Sequence, residues 1–311
     1  MKIWVRQDAG SGWFCRKEVF MPEVRATVRR RRLGRELETL RHARKLTLED
    51  AAILLMRPKT SLSKIENGRQ QLRVRDVPFI LDKYELDDPA RREEIMTLAS
   101  KAAERDWWQK FQGVVRDPFA DYLSLEESAT LIFKWSPLLI PGWLQTEAYA
   151  RHVVAASRMW QTEEEIDKFV ALRMRRKTTV LDREEPPQVW VVLSEMTIRQ
   201  RVGAPDIRVM KEQLEHLKEV AADRGRSHVQ IVLLPYSAGE HAGLEGAFTW
   251  MRFDSGPEVI CLEALTSAQY LEDEDEVARY AMAADHLRAA AQSPRDTIAT
   301  LNKVIKELGA K

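Results

Sequence analysis

The sequence predicts a mainly α N-terminal helix-turn-helix bundle followed by an α+β C-terminal domain with a small mixed sheet. Three observations predict it. Apolar residues recur at helical spacing from Leu33 to Leu72, broken by two short turns. The strand-length apolar runs VWVVL (Val189 to Leu193) and VQIVLL (Val229 to Leu234) flank one amphipathic segment, the pattern of a βαβ unit. Charge divides the chain: residues 23–75 hold 15 Lys or Arg against 6 Asp or Glu, whereas 76–311 hold 30 against 40. A basic head on an acidic body fits two domains, and 311 residues are enough for both. The expected division is a disordered extension at 1–22, a head at 23–105 and a body at 106–311.

In the head, Leu33, Leu37 and Leu40 share one face of a first helix. Thr47 is a good N-cap, with Asp50 as its capping-box partner. The second helix buries Leu48, Ala51, Ala52 and Leu55, and its alanines allow a close crossing by a third. That third helix runs from Lys59 to Asn67, is anchored by Leu62 and Ile65, and ends at Gly68, a residue suited to a left-handed cap. Lys59, Thr60, Ser61, Ser63 and Lys64 are left to face outward, with Glu66 and Asn67 at the far end. Two helices joined by a tight turn, the second polar and cationic, have the geometry that enters a major groove of double-stranded DNA. The local excess of cations supplies counterion release on binding, even though the whole chain carries only +1.

The run SLSKIENGR resembles the end of the recognition helix in Xre or lambda-repressor-like regulators. That resemblance implies that Lys59, Thr60 and Lys64 read bases and that Asn67 touches the DNA backbone. Ser61, Ser63 and Arg69 complete the expected interface. Pro58 departs from the Ser or Thr often found before this helix; proline is acceptable at a helix start, but the side-chain cap is lost. Upstream, Arg29 to Arg32 form either an arm, with Arg30 and Arg32 on a phosphate rail or in a minor groove, or a solubilising helix start.

Beyond the head, Val74 to Tyr84 and Pro89 to Arg105 read as fourth and fifth helices, with Pro78 marking a first turn and Ile95 and Leu98 inward. Trp107 and Trp108 predict a packed joint after a boundary near 105. Ser124 and Glu127 have capping-box spacing for a helix through Phe133. Pro141-Gly142 is a turn before a helix from Trp143 to Val154. Thr162 and Glu165 open a long helix through Leu181, whose RMRRK run (Arg173 to Lys177) reads as a solvated face, with DNA contact the alternative. The continuous apolar run at 189–193 implies a strand covered on both sides. A helix from Asp206 to Ala222 then leads to the strand at 229–234, giving a parallel pair. Phe248 to Phe253 and Val259 to Leu265 read as a hairpin around Asp254-Ser255-Gly256-Pro257. Helices from Asp275 to Ala291 and from Pro294 to about Leu308 close the chain.

PGWLQTEAYAR resembles the PGLLQTxxYAR signature of a domain found behind Xre heads in actinobacterial regulators, and VLSE, VMKEQLEHL, VQIVLLPYSAGEHAG and AAAQSPRDT follow in that domain's order. The likeness spans roughly residues 25 to 308. It implies an antitoxin-like relation, in some members, to a small protein encoded by a neighbouring gene.

Little points to catalysis. The six histidines share no HxxxH or HxH spacing, and Cys15 and Cys261 stand far apart, so no metal site and no cofactor are expected. Gly239, Gly243 and Gly246 are followed by no GK[ST], which argues against a phosphate loop. Glu240, His241 and Glu245 share that loop, after a strand end where α/β folds often bind ligands; Glu240 and His241 are the ligand-binding candidates, against a plain glycine-rich turn. The absence of an apolar run of about 18 residues excludes a transmembrane helix, residues 1–20 lack a signal-peptide core, and two cysteines suit the reducing cytoplasm. The expected protein is a cytoplasmic, homodimeric, non-enzymatic DNA-binding regulator. An antitoxin-like protein-binding module is the alternative.

Overall fold

The apolar stripes of the head and the two-faced strands of the body each find a partner surface in the computed structural model, which describes residues 28–103, 107–111, 113–115, 117–160, 162–254, 256–265 and 267–309. The expected extension at 1–22 and the boundary near 105 lie outside the described residues. The head comprises α1 (Val28–Ala43), α2 (Leu48–Leu54), α3 (Lys59–Glu66), α4 (Val77–Lys83) and α5 (Pro89–Ala103). Leu33, Leu37, Ala51, Leu62, Ile65, Ile80 and Ile95 form its core. The capping box at Thr47 forms in both directions with Asp50, and Gly68 takes φ +66° as the left-handed stop.

The approach of α1 to α3 is set by Gly34. A Cβ there would lie 2.0 Å from the Glu66 carbonyl oxygen, so only hydrogen fits at this crossing. Two turns on, Arg41 of α1 donates from Nε and Nη2 to the two Glu66 carboxylate oxygens at 2.8 and 3.0 Å, with both side chains buried. Glu66 therefore sits on the buried side of α3 and not on its outward end, where sequence spacing had put it.

The body adds α6 (Asp117–Ser128), β1 (Leu131–Ser136), α7 (Glu147–Ala156), α8 (Glu163–Leu181), β2 (Gln188–Ser194), α9 (Glu195–Arg199), α10 (Ile207–Ala222), β3 (Val229–Leu234), β4 (Phe248–Arg252), β5 (Val259–Glu263), β6 (Ala268–Leu271), α11 (Glu274–Ala290) and α12 (Pro294–Gly309). The strands form one mixed sheet in the order β3-β2-β1-β4-β5-β6. β1, β2 and β3 run parallel; β4, β5 and β6 continue antiparallel from β1. Alternate residues feed two cores. Val189, Val191 and Leu193 face α10 and α12 on one side. Phe133, Trp135, Val192 and Trp250 meet α11 on the other.

The mainly α head and the α+β body with a mixed sheet are as the sequence implied. The parallel pair β2–β3, the hairpin β4–β5 and the reciprocal cap at Thr162 also form. Three readings change. The helix expected from Ser124 to Phe133 ends at Ser128, and Leu131–Ser136 is β1, at the centre of the sheet. Ser124 lies wholly buried within α6, so its spacing to Glu127 is coincidental and caps nothing. The helix expected at Trp143 begins at Glu147, capped by Thr146, after a short 3-10 turn at Gly142–Leu144. β6 had no sequence signal beyond its four residues.

The Gly34 contact yields a stability prediction. Gly34→Ala gains about 1 kcal/mol of helix propensity, but the added methyl forces α1 off the Glu66 carbonyl. A net loss of roughly 1–3 kcal/mol is expected from such overpacking, measured by urea denaturation.

Candidate functional site

On α3, Leu62, Ile65 and Glu66 point inward. At 100° per residue, Thr60 and Lys64 then lie opposite that buried stripe, one turn apart, with Ser61 and Ser63 flanking them. Thr60 and Lys64 are exposed and Ser61 and Ser63 half-buried. Lys59, also exposed, is held at 3.0 Å by Glu49 of α2. Pro58 provides no side-chain cap. The helix N-terminus therefore retains unsatisfied N–H groups, the arrangement that suits a phosphate. Past the helix, Asn67 Nδ2 donates to the Ser63 carbonyl oxygen at 2.8 Å, and the Arg69 amide donates to that of Lys64 at 2.7 Å. Arg57, which sequence reasoning left unassigned, pairs with Asp76 at 2.6 Å and pins the α2–α3 turn to the start of α4.

The arginine run behaves otherwise than expected. It lies inside α1, and three of its members reach the body. Arg29 pairs with Glu127 at 2.7 Å, and Arg31 lies 3.5 Å from Asp121. Arg32 is buried, with its guanidinium carbon 3.6 Å from the Phe253 ring centroid, and donates to the Pro257 carbonyl oxygen at 2.7 Å. Burial lowers the Arg32 pKa to about 10. Arg32 is thus part of the head–body joint and not a DNA arm in this conformation. Arg30 is half-buried beside it.

The Glu240–His241 loop is a packed turn. Trp135 Nε1 donates to the Gly243 carbonyl oxygen at 2.9 Å, and the Gly243 amide donates to His241 Nδ1 at 3.1 Å. The His241 ring sits edge-on to Trp135 at 5.4 Å, and Glu240 is exposed. This turn covers the Trp135 face of β1.

The sizeable cavity, about 460 Å³, lies on the opposite face of β1, at its C-terminal end. Such a strand end, where the sheet passes from parallel to antiparallel pairing, is a common place for ligands. Its apolar walls include Phe119, Trp143, Trp160, Phe169 and Tyr270. Its polar wall is built from Lys134, Arg173, Arg176 and Glu263. Lys134 Nζ donates to Glu263 at 2.7 Å and to Thr249 Oγ1 at 2.8 Å. Burial acts to raise the Glu263 pKa, but Lys134 and then Arg176 and Arg173 hold it below the usual value. Arg176 is buried and donates through Nε and Nη2 to Glu126 at 2.9 and 2.7 Å. Burial opposes its charge, yet Glu126 keeps its pKa above the ordinary arginine value.

Arg173 differs from both. Its Nη1 donates to Gln145 Oε1 at 2.8 Å, and no carboxylate among the described residues lies within ion-pair distance of it. Burial, with the neighbouring Arg176, pushes its pKa down to about 10. Gln145 is oriented for that contact because its Nε2 donates to the Ile140 carbonyl oxygen at 2.7 Å. Gly142 permits the fit, since a Cβ there would stand 3.1 Å from Arg176 Nη1. The PGWLQT segment is thus the brace of the cavity's cationic wall. The RMRRK run is not the solvated face expected of it. Phe169, Arg173 and Arg176 recur at i, i+4 and i+7, a stripe that charge alone concealed.

No helix of the described residues is long and apolar enough to cross a membrane, and no group of metal-ligating side chains gathers among them. Residues 32–95 match a family model described as a helix-turn-helix domain. Residues 119–303 match one described as a domain of unknown function, DUF5753. No curated protein and no solved structure matches the chain. The head is therefore a DNA-binding domain of the regulator type, and the chain, matched over more than half its length by the second model, belongs to the DUF5753 family.

Proposed function

We propose that this chain is a sequence-specific, Xre-like transcriptional regulator that acts by binding and not by catalysis. The observation that carries this reading is the outward face of α3. Thr60 and Lys64 stand exposed at its centre, and the one carboxylate of the helix is buried on Arg41. A helix of this length reads about one half-site. Two chains related by a two-fold axis would read half-sites about 34 Å apart, one helical turn. The reading places the protein where chromosomal DNA is, in the cytoplasm.

The body, in this proposal, supplies dimerisation and senses a ligand in its cavity. What supports a link to the head is α6. Tyr122 of α6 lines the cavity and Glu126 holds Arg176, while Asp121 and Glu127 of the same helix take Arg31 and Arg29 of α1. A shift of α6 on occupancy would act on the helix that packs against α3. A second reading is favoured by the exposed Leu138 and Leu265 beside the cavity. There the body takes an apolar segment of a small neighbour-encoded protein, in the manner of an antitoxin. Co-expression with that neighbour would give a stable complex that forms without DNA.

Binding of the full chain to DNA from upstream of its own gene, and to a scrambled duplex, tests the first reading by fluorescence anisotropy across a salt series. A preference of roughly 10³-fold or more at physiological salt is expected. Equal, weak binding that collapses with salt would reduce the head to a basic patch. Lys64→Ala should cost about 1–3 kcal/mol and relax specificity at one base position. Arg69→Ala should weaken all sequences alike and lower the salt slope by about 1. Sedimentation on a palindromic site should show two chains per duplex; a single chain on a full-affinity site would remove the dimer.

A further inference from the structure

The charges around the body cavity do not balance. Three cations line it: Lys134, Arg173 and Arg176. Two carboxylates answer them, Glu263 on Lys134 and Glu126 on Arg176. Arg173 is left with a neutral partner, the Gln145 amide, which takes one of its five N–H donors. Among the described residues no other acceptor takes the rest. Arg173 is half-buried, and its guanidinium carbon stands 5.2 Å from the Phe169 ring centroid, so its remaining donors stay available to an acceptor inside the cavity. The surplus is one positive charge, and the fork geometry of arginine matches a carboxylate. The remaining wall asks for an apolar, flat body, because Phe119, Trp143, Trp160, Phe169 and Tyr270 line it. A volume of about 460 Å³ is of small-molecule size.

We infer that the cavity is a binding site for an aromatic monocarboxylate, whose carboxylate seats on Arg173 and whose ring lies among these aromatic side chains. Gln145 is the positioning residue: with its amide fixed by the Ile140 carbonyl oxygen, it holds the guanidinium at the wall. The inference deepens the sensing role proposed above and rests on that role only for its consequence at DNA.

Titration calorimetry of the full chain tests it with three probes, 2-naphthoate, indole-3-acetate and 3-phenylpropionate, each beside its neutral amide. At least one acid is expected to bind, and at least roughly tenfold more tightly than its amide, as a charge-assisted hydrogen bond would require. Arg173→Gln should abolish that preference, bringing acid and amide to similar affinities; Arg173→Lys, which keeps the charge, should restore part of it and controls for folding. The site assignment is overturned if no acid binds the native chain, if the amides bind as tightly as the acids, or if the preference survives in folded Arg173→Gln. Anisotropy with operator DNA, with and without the bound acid, separates the two ideas. Acid binding with unchanged DNA affinity would leave the site standing and remove the sensing role. Acid binding by a chain that shows no sequence preference would remove the regulator and leave the site.

Discussion

The contact of α1 with α3 governs the arrangement of the molecule. Gly34 admits the Glu66 carbonyl where any side chain would collide, and Arg41 neutralises the Glu66 carboxylate two turns later. The two features depend on each other. Close approach brings the arginine within reach, and the ion pair makes a buried carboxylate tolerable beneath a helix whose outward face is cationic. Breaking such a pair from one side leaves a buried, uncompensated charge, which costs far more than the intact pair contributes. The outward face of α3 can therefore be cationic and hydroxylic because its carboxylate is used inside.

The same α1 that fixes α3 also faces the body. Arg29 and Arg31 leave it toward Glu127 and Asp121, Arg32 toward Phe253 and Pro257, and Arg35 toward Glu272. Half of this joint is α6, which also forms a wall of the cavity. Head and cavity are thus connected through the contact of α1 with α6. Coupling of two sites requires an element with two arrangements that both sites bias; the α1–α6 joint is where such an element would have to lie.

Within the body, the charged residues follow the strand alternation. Lys134 falls on the cavity face of β1 because its neighbours Phe133 and Trp135 point to the other core. Its partners Thr249 and Glu263 come from β4 and β5, brought alongside only by the antiparallel extension of the sheet. Cys261, on the same face, is buried and its thiol pushed upward by that burial, so it packs as a small apolar residue.

Much of the fold was legible because its signals are local. Capping boxes at Thr47 and Thr162 act over three residues, the leucine stripe of α1 over one face, and the βαβ pattern over contiguous segments. Of the candidate interface, Thr60 and Lys64 could be placed because helical periodicity alone sets them against Leu62 and Ile65. β1 was missed because a chance serine–glutamate spacing outweighed a short strand, whose stability comes from neighbours on both edges. The arginines of α1 and α8 were misjudged for a related reason. A sequence fixes a side chain's charge and its position along a helix, but whether that charge meets water, DNA or a carboxylate depends on residues about 50 to more than 200 positions away, such as Glu126 for Arg176 and Pro257 for Arg32. The type of most elements, though not of β1, and the outward face of α3 were determined by the sequence itself, through local periodicity and capping. The joint, the cavity and the unbalanced Arg173 were decided by tertiary structure, since each arises from long-range pairing that local pattern does not encode.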